Sequence, residues 1–367
     1  MQAEYCKHKI RAILTKKTLF TILKYVFGLG FGVLLMWLAM RGIDFEEVKQ
    51  GFREANYFWV AIGLIVAILS HWFRAMRWKM LISAAGHESN TWNLFCSIMV
   101  GYLVNQALPR AGEVTRATLS ARTERMPITV SLGTMVTDRV FDVISLGLLV
   151  LGVFIFQFKE ITAILDKAFA NGGTAADPEP GAGLWKWIVI GLMALGLAVF
   201  IIFRKKLMKI AIVAKLVNFV VGIWNAVLSV RKMKNPFKFV ALSISIWVCY
   251  ILMTYLVFFA LDSTQDLGFG FAITAFTIGG IGMVIPSPGG IGTYHFAIIM
   301  SFVAYAASFG WTEDHARIVG TNIAFIIHTS QFIMMIFAGA LCYLFLLPKM
   351  KIAANEKPEG EEIAENA

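Results

Sequence analysis

The sequence predicts an all-α protein that crosses a membrane several times, and three observations carry this reading. Hydrophobic residues fill 58% of the 367 positions and charged residues only 15%, against roughly 25% charge in a soluble domain. Long uncharged runs occupy 56–73, 187–203, 239–261 and 318–348, near the roughly 20 apolar residues a helix needs to cross the hydrocarbon core. The basic residues gather in short segments between those runs, which is how membrane topology is written.

The net charge of +10 therefore reads as topology. No separate basic domain with interleaved aromatics exists, so nucleic-acid binding is not expected. The four cysteines and six histidines show neither a disulfide framework nor metal-ligand spacing. No metal or cofactor is expected.

Residues 1–18 form a basic cytoplasmic leader. The first apolar stretch, 19–40, ends in Leu38-Ala39-Met40-Arg41, a poor cleavage site, and reads as an uncleaved anchor. Further full spans are placed at 56–73, 128–158, 184–203, 239–261 and 317–347, about six in all. The segment 207–232 carries polar residues at a 3-4-3-4 spacing with basic residues at both ends. It reads as an interfacial helix on the cytoplasmic surface, with a seventh span as the alternative. Residues 348–367 are expected to form a disordered cytoplasmic tail.

Two segments, 91–122 and 268–308, read as re-entrant helical hairpins. The stretch 267–312 has no charged residue and is long enough for two spans. Its middle, Ile285-Pro286-Ser287-Pro288-Gly289-Gly290-Ile291-Gly292, cannot continue as helix. Such backbone is tolerated at membrane depth only inside protein or beside water. If 91–122 spanned twice, Arg110 would reach the outer surface. With both segments re-entrant, 24 of the 33 Lys and Arg lie in cytoplasmic pieces, which puts both termini in the cytoplasm.

The two breaks share a register. Leu108-Pro109-Arg110-Ala111-Gly112-Glu113-Val114 aligns with Ile285-Pro286-Ser287-Pro288-Gly289-Gly290-Ile291, 177 positions on. Half-repeats of about 19–158 and 184–347 follow, inverted relative to each other, an arrangement characteristic of secondary transporters. The flippase-like transmembrane domain so defined covers 19–347.

The sequence also resembles a family. Arg74-Ala75-Met76-Arg77-Trp78, the stretch from Asn105 through Pro109, Arg110 and Glu113 to Arg116, Asp138-Arg139, and the glycine-rich 286–292 are similar to motifs of the lysylphosphatidylglycerol synthase transmembrane-region family, over about 20–347. In bifunctional members a membrane half acts as a lipid flippase and a soluble carboxy-terminal half attaches an amino acid to the lipid. This chain stops soon after its last span, so the resemblance implies the flippase-like half without aminoacyl transfer.

Ionisable residues at membrane depth are costly and usually face a polar cavity. Arg110, Glu113 and Arg116 are spaced by three beyond Pro109 and share a helix face, leaving net positive charge. Arginine suits a phosphodiester because its planar fork donates two parallel hydrogen bonds; the alternative is a loop whose arginines only set topology. Asp138 and Asp142 are placed to hold Arg139, or to reach Arg110, as a structural ion pair or a proton relay. Arg74 and Arg77, beside Trp72 and Trp78, either bind headgroups or snorkel as anchors. Asn105 completes the first motif, and Ser287, Gly289 and Gly290 offer backbone amides at a helix start, where an anion is favoured. Glu113, Asp142, His295 and His328 are the candidates for proton coupling. For the histidines, hydrogen bonding inside the bundle is the alternative.

These residues point to a transporter, not an enzyme, of the cell membrane that moves a phosphate-bearing, anionic lipid between leaflets. The competing readings are a membrane-embedded transferase using a lipid-linked donor and a membrane partner of a lipid-modifying enzyme. A transferase of that kind would want paired aspartates for a divalent cation, and Asp138 and Asp142 flanking Arg139 suit one poorly.

Overall fold

A computed structural model describes residues 16–43, 45–108, 111–157, 233–285 and 287–355, with a few positions between 217 and 231. Every regular element among them is helical: α1 Lys16–Met40, α2 Phe45–Glu54, α3 Tyr57–Ala84, α4 Thr91–Ala107, α5 Ala111–Thr123, α6 Ile128–Phe156, α7 Pro236–Phe258, α8 Phe269–Val284, α9 Thr293–Tyr305 and α10 Glu313–Asn355. Short 3-10 turns at Pro288–Gly290 and Ala306–Phe309 flank α9. The expected span 184–203 and the expected interfacial helix 207–232 lie outside the described residues or almost wholly so.

Among the described residues, five helical stretches are long and apolar enough to cross a membrane: α3, α6, α7, the run Pro288–Phe309 around α9, and α10 as far as Met350. The pair Gly28–Met40 and Phe45–Glu54, which meet at 90°, would make a sixth if counted as one span. This is a polytopic α-helical membrane protein.

The chain forms two compact units. One joins Met1–Asp138 to Lys238–Ala367, and the other is Arg139–Phe237. Of the second unit, the described part is chiefly the later half of α6, whose Leu148, Leu151, Ile155 and Phe156 are exposed. Exposed apolar side chains suit a hydrocarbon solvent, which is as apolar as leucine itself. All that follows concerns the first unit unless stated.

Two helices outrun their expected ends. The span expected to stop at residue 73 continues as α3 to Ala84, because Arg74 and Arg77 turn inward and are buried instead of meeting water. The tail expected to be disordered from 348 begins as helix: α10 carries Pro348 inside it and runs to Asn355. Helix α2 was not anticipated. Its Glu46 and Glu47 occupy the first turn and Arg53 the last, complementing the helix dipole. Its Gly51 lies against Asn322 of α10.

The segments 91–122 and 268–308 each fold into two short helices around a break. Helices α4 and α5 have 17 and 13 residues and α8 and α9 have 16 and 13. At 1.5 Å per residue these are about 20–26 Å long, against about 30 Å for the hydrocarbon core; only with its flanking turns does α9 reach spanning length. Both pairs are antiparallel. Gly101 of α4 lies against Gly112 and Arg116 of α5, while Gly279 and Gly282 of α8 meet Ile298 and Thr293 of α9 in reverse chain order. The Asn105 side chain accepts from the Gly112 amide at 2.8 Å, fastening the first hairpin near its break.

The two breaks meet. A Cβ on Gly289 would lie 2.6 Å from Gln106 Oε1 near the end of α4. Three residues on, Gly292 sits at φ +84° with the Gly32 carbonyl of α1 where its side chain would be. Only glycine fulfils both demands there.

Candidate functional site

Arg74 and Arg77 lie three residues apart on α3 and so share a face. Arg116 comes from α5 and Asp138 from α6. The three arginines converge on the one carboxylate, with exposures of 3% for Arg74, 0% for Arg77, 2% for Arg116 and 0% for Asp138. Arg77 Nη2 is 2.7 Å from Asp138 Oδ1, and its Nε donates to the same oxygen at 2.9 Å. Arg74 Nη1 and Arg116 Nη2 approach the other oxygen, Oδ2, at 3.4 and 3.5 Å.

A polar and aromatic shell holds these groups. Arg74 Nη2 donates to the Tyr250 hydroxyl at 3.0 Å, and Arg77 Nη1 to Ser243 Oγ at 3.5 Å. The Arg116 guanidinium lies 4.9 Å from the Trp78 ring centroid, within cation–π range. Trp78 Nε1 donates to Thr134 Oγ1 at 3.1 Å, so the ring is itself oriented.

Taking charges out of water is expensive, so three guanidinium groups gathered on one buried carboxylate mark a polar site inside an apolar protein. The arrangement can therefore receive an anion, with arginine forks shaped for phosphate oxygens.

The remaining expected residues divide between roles. Arg110 lies outside the described residues. Asp138, expected with Asp142 to hold Arg139 or reach Arg110, holds Arg74, Arg77 and Arg116. Arg139 pairs with Asp142, the other of those carboxylates, at 3.2 Å within the second unit. The burial of Arg74 and Arg77 also corrects the reading of these two as snorkelling anchors. On the glycine turn, Ser287 Oγ and Thr293 Oγ1 are 2.9 Å apart. The Gly289 carbonyl accepts from His328 Nε2 at 2.8 Å, which fixes the proton on that nitrogen. A Cβ on Gly290 would meet the Met283 side chain. The Gly292 amide lies 3.4 Å from His295 Nδ1, and the His295 and His328 rings are 4.6 Å apart. The glycine turn is thus held by two histidines from α9 and α10.

Tyr250 escaped the sequence reading because a tyrosine in an apolar run carries no distinguishing spacing. His71 does carry one, since it precedes Arg74 by three and so shares its face. No group of three or more His, Cys, Asp or Glu placed to hold a metal ion occurs among the described residues.

The fold and this buried constellation define a polytopic helical membrane protein with an inward-facing, arginine-rich site. The sequence profile of the lysylphosphatidylglycerol synthase TM region matches residues 25–339, and the chain belongs to that family. A UPF0104 membrane protein of Methanocaldococcus jannaschii is 27% identical over 180 residues, which are 44% of this chain and 51% of the relative. The match thus spans about half the length of that relative. A second UPF0104 membrane protein, from Methanothermobacter thermautotrophicus, is 22% identical over 298 residues, 76% of this chain and 85% of the relative. No solved structure matches the chain.

Proposed function

We propose that this protein is a lipid transporter, not an enzyme, that moves a phosphate-bearing lipid between the leaflets of the cell membrane. The observation that carries the reading is the convergence of Arg74, Arg77 and Arg116 on Asp138, all buried within a membrane protein. Buried arginines in a membrane protein mark a substrate path, their planar forks suit phosphate oxygens, and in a bilayer the abundant anion is a lipid phosphate. The headgroup binds at the arginines while the acyl chains stay in the hydrocarbon.

The two helix–break–helix segments act as re-entrant hairpins of an inverted repeat, and rocking of one half against the other exposes the site to each leaflet in turn. The contact between Gly289 and Gln106 supports this reading, since it joins the breaks of the two halves. Both termini lie in the cytoplasm, where the basic residues are concentrated. Proton coupling, if the transport is active, falls to Glu113, Asp142, His295 and His328.

The test is lipid movement in proteoliposomes containing only this protein and a tail-labelled phospholipid. Movement that needs no partner and consumes no lipid supports the reading. Arg116→Gln should slow it by about tenfold or more, the scale of a lost charge-assisted hydrogen bond. Movement only when a lipid-modifying enzyme is added, or chemical turnover of the lipid, overturns it.

A further inference from the structure

The polar face of α3 does not end at Arg74. One turn back, His71 is 3% exposed and neither ring nitrogen has a hydrogen-bond partner within the protein. Its ring centroid lies 4.8 Å from that of Tyr102 on α4 and 6.3 Å from that of Tyr250 on α7. Tyr250 is the residue whose hydroxyl holds Arg74. His71 therefore sits one shell from the arginine cluster, wedged between two tyrosines.

The same feature recurs one turn along α4. Gln106 follows Tyr102 by four residues, on the same helix face. Its Nε2 is 3.1 Å from the Met335 sulfur, while its Oε1 is buried without a partner. That oxygen is the atom against which Gly289 packs. Asp138, Arg74, Tyr250, His71 and Tyr102 are successive neighbours, and Gln106, one turn beyond Tyr102 on α4, meets the glycine turn.

A buried polar atom left unpaired is destabilising, and native structures rarely keep one without a use. Two residues carry three such atoms here, His71 Nδ1 and Nε2 and Gln106 Oε1, between the arginine cluster and the meeting point of the hairpins. An apolar side chain of similar size at either position would fold more favourably.

We propose that His71 and Gln106 are lipid-binding residues that line a headgroup lane between the arginine cluster and the glycine turn. The chemistry of the lane sets its ligand. Gln106 Oε1 only accepts, so the ligand must bring a donor; neutral His71 offers one donor and one acceptor. The headgroup it fits is a phosphodiester carrying a hydroxyl-bearing substituent, with the phosphate at the arginines and the hydroxyl at His71 and Gln106. This rests on the assignment of the arginines to phosphate.

The experiment uses the full-length protein in proteoliposomes with two tail-labelled probes of equal charge, phosphatidylglycerol and phosphatidylmethanol, of which only the first carries headgroup hydroxyls. The wild type should move phosphatidylglycerol about tenfold faster, the scale of one hydrogen bond. His71→Phe and Gln106→Leu should bring phosphatidylglycerol down to the phosphatidylmethanol rate while raising the melting temperature in detergent. Equal rates for the two probes in the wild type overturn the lane without any variant being needed. Variants that melt higher yet keep the wild-type preference also overturn it, and make the two orphans packing defects. Arg116→Gln separates the two readings. If it stops both probes while the lane variants change nothing, the lane alone fails; if it stops neither, the phosphate site itself is wrong.

Discussion

Arg77 and Asp138, 61 positions apart, meet with both side chains wholly buried, and the arginine also donates from Nη2 to the Asp138 backbone carbonyl at 3.3 Å. The carbonyl contact ties the guanidinium to the α6 main chain as well as to the carboxylate. The geometry therefore sets the position of α3 on α6 as well as the charge of the site.

Asp138→Asn should be the most destabilising single change at the cluster. Removing the charge leaves three buried guanidinium groups without the carboxylate they share, and breaking a buried pair costs about 3–5 kcal/mol. Arg74→Gln should cost less, because Arg74 also rests on Tyr250 and the carboxylate keeps two arginines. Thermal unfolding in detergent measures both. A melting temperature for Asp138→Asn equal to the wild type would contradict the structural role given to this carboxylate.

Arg116→Lys should keep the protein folded but transport anionic lipid more slowly than the wild type and faster than Arg116→Gln. Lysine retains the charge and loses both the planar fork and its stacking on Trp78. Rates for the three proteins, measured side by side in vesicles, decide this. A lysine variant as fast as the wild type would mean that charge alone matters at this position.

Gly292→Val should abolish folding or transport, since the residue sits at φ +84° against the Gly32 carbonyl. Gly133→Ala is the control: a Cβ there meets nothing within 4 Å, and alanine favours the helix by about 1 kcal/mol over glycine. Membrane yield and lipid movement should fall for the first and hold for the second. Wild-type behaviour of Gly292→Val would remove the need for the close approach of α1.

Cys96 on α4 and Cys342 on α10 are free, buried cysteines on two helices that pack against each other. Oxidation should join them in the folded protein and fasten the first hairpin to α10. If that hairpin moves during transport, lipid movement should fall on oxidation and return with a reductant, while Cys96→Ala should be insensitive to both. Counting free thiols by mass, alongside the transport assay, reads the bond and its effect together.

The orientation is open to the same kind of measurement. A single cysteine at the exposed position Ser263 should label in intact cells with a membrane-impermeant thiol reagent, and one at the exposed position Glu88 should not. Labelling at Glu88 alone would invert the topology.

Much of this was legible in the linear chain, for a definite reason. Hydrocarbon demands long apolar helices, so the runs ending at 261 and 348 announced α7 and α10 directly. Pro286 and Gly289 forbid helix, so the break between α8 and α9 was readable too. Arg74, Arg77, Arg116 and Asp138 could each be named as costly within apolar surroundings. Their partners could not, because pairing depends on which helix faces lie together. Spacing along α6 placed Asp138 and Asp142 around Arg139, but only the packing of α3 and α5 against α6 could show that Asp138 gathers Arg74, Arg77 and Arg116. The same holds for His71 and Gln106. Each is an ordinary polar residue in sequence, and only burial beside the rings of Tyr102 and Tyr250, or against Gly289, leaves the His71 nitrogens and Gln106 Oε1 without a partner in the protein.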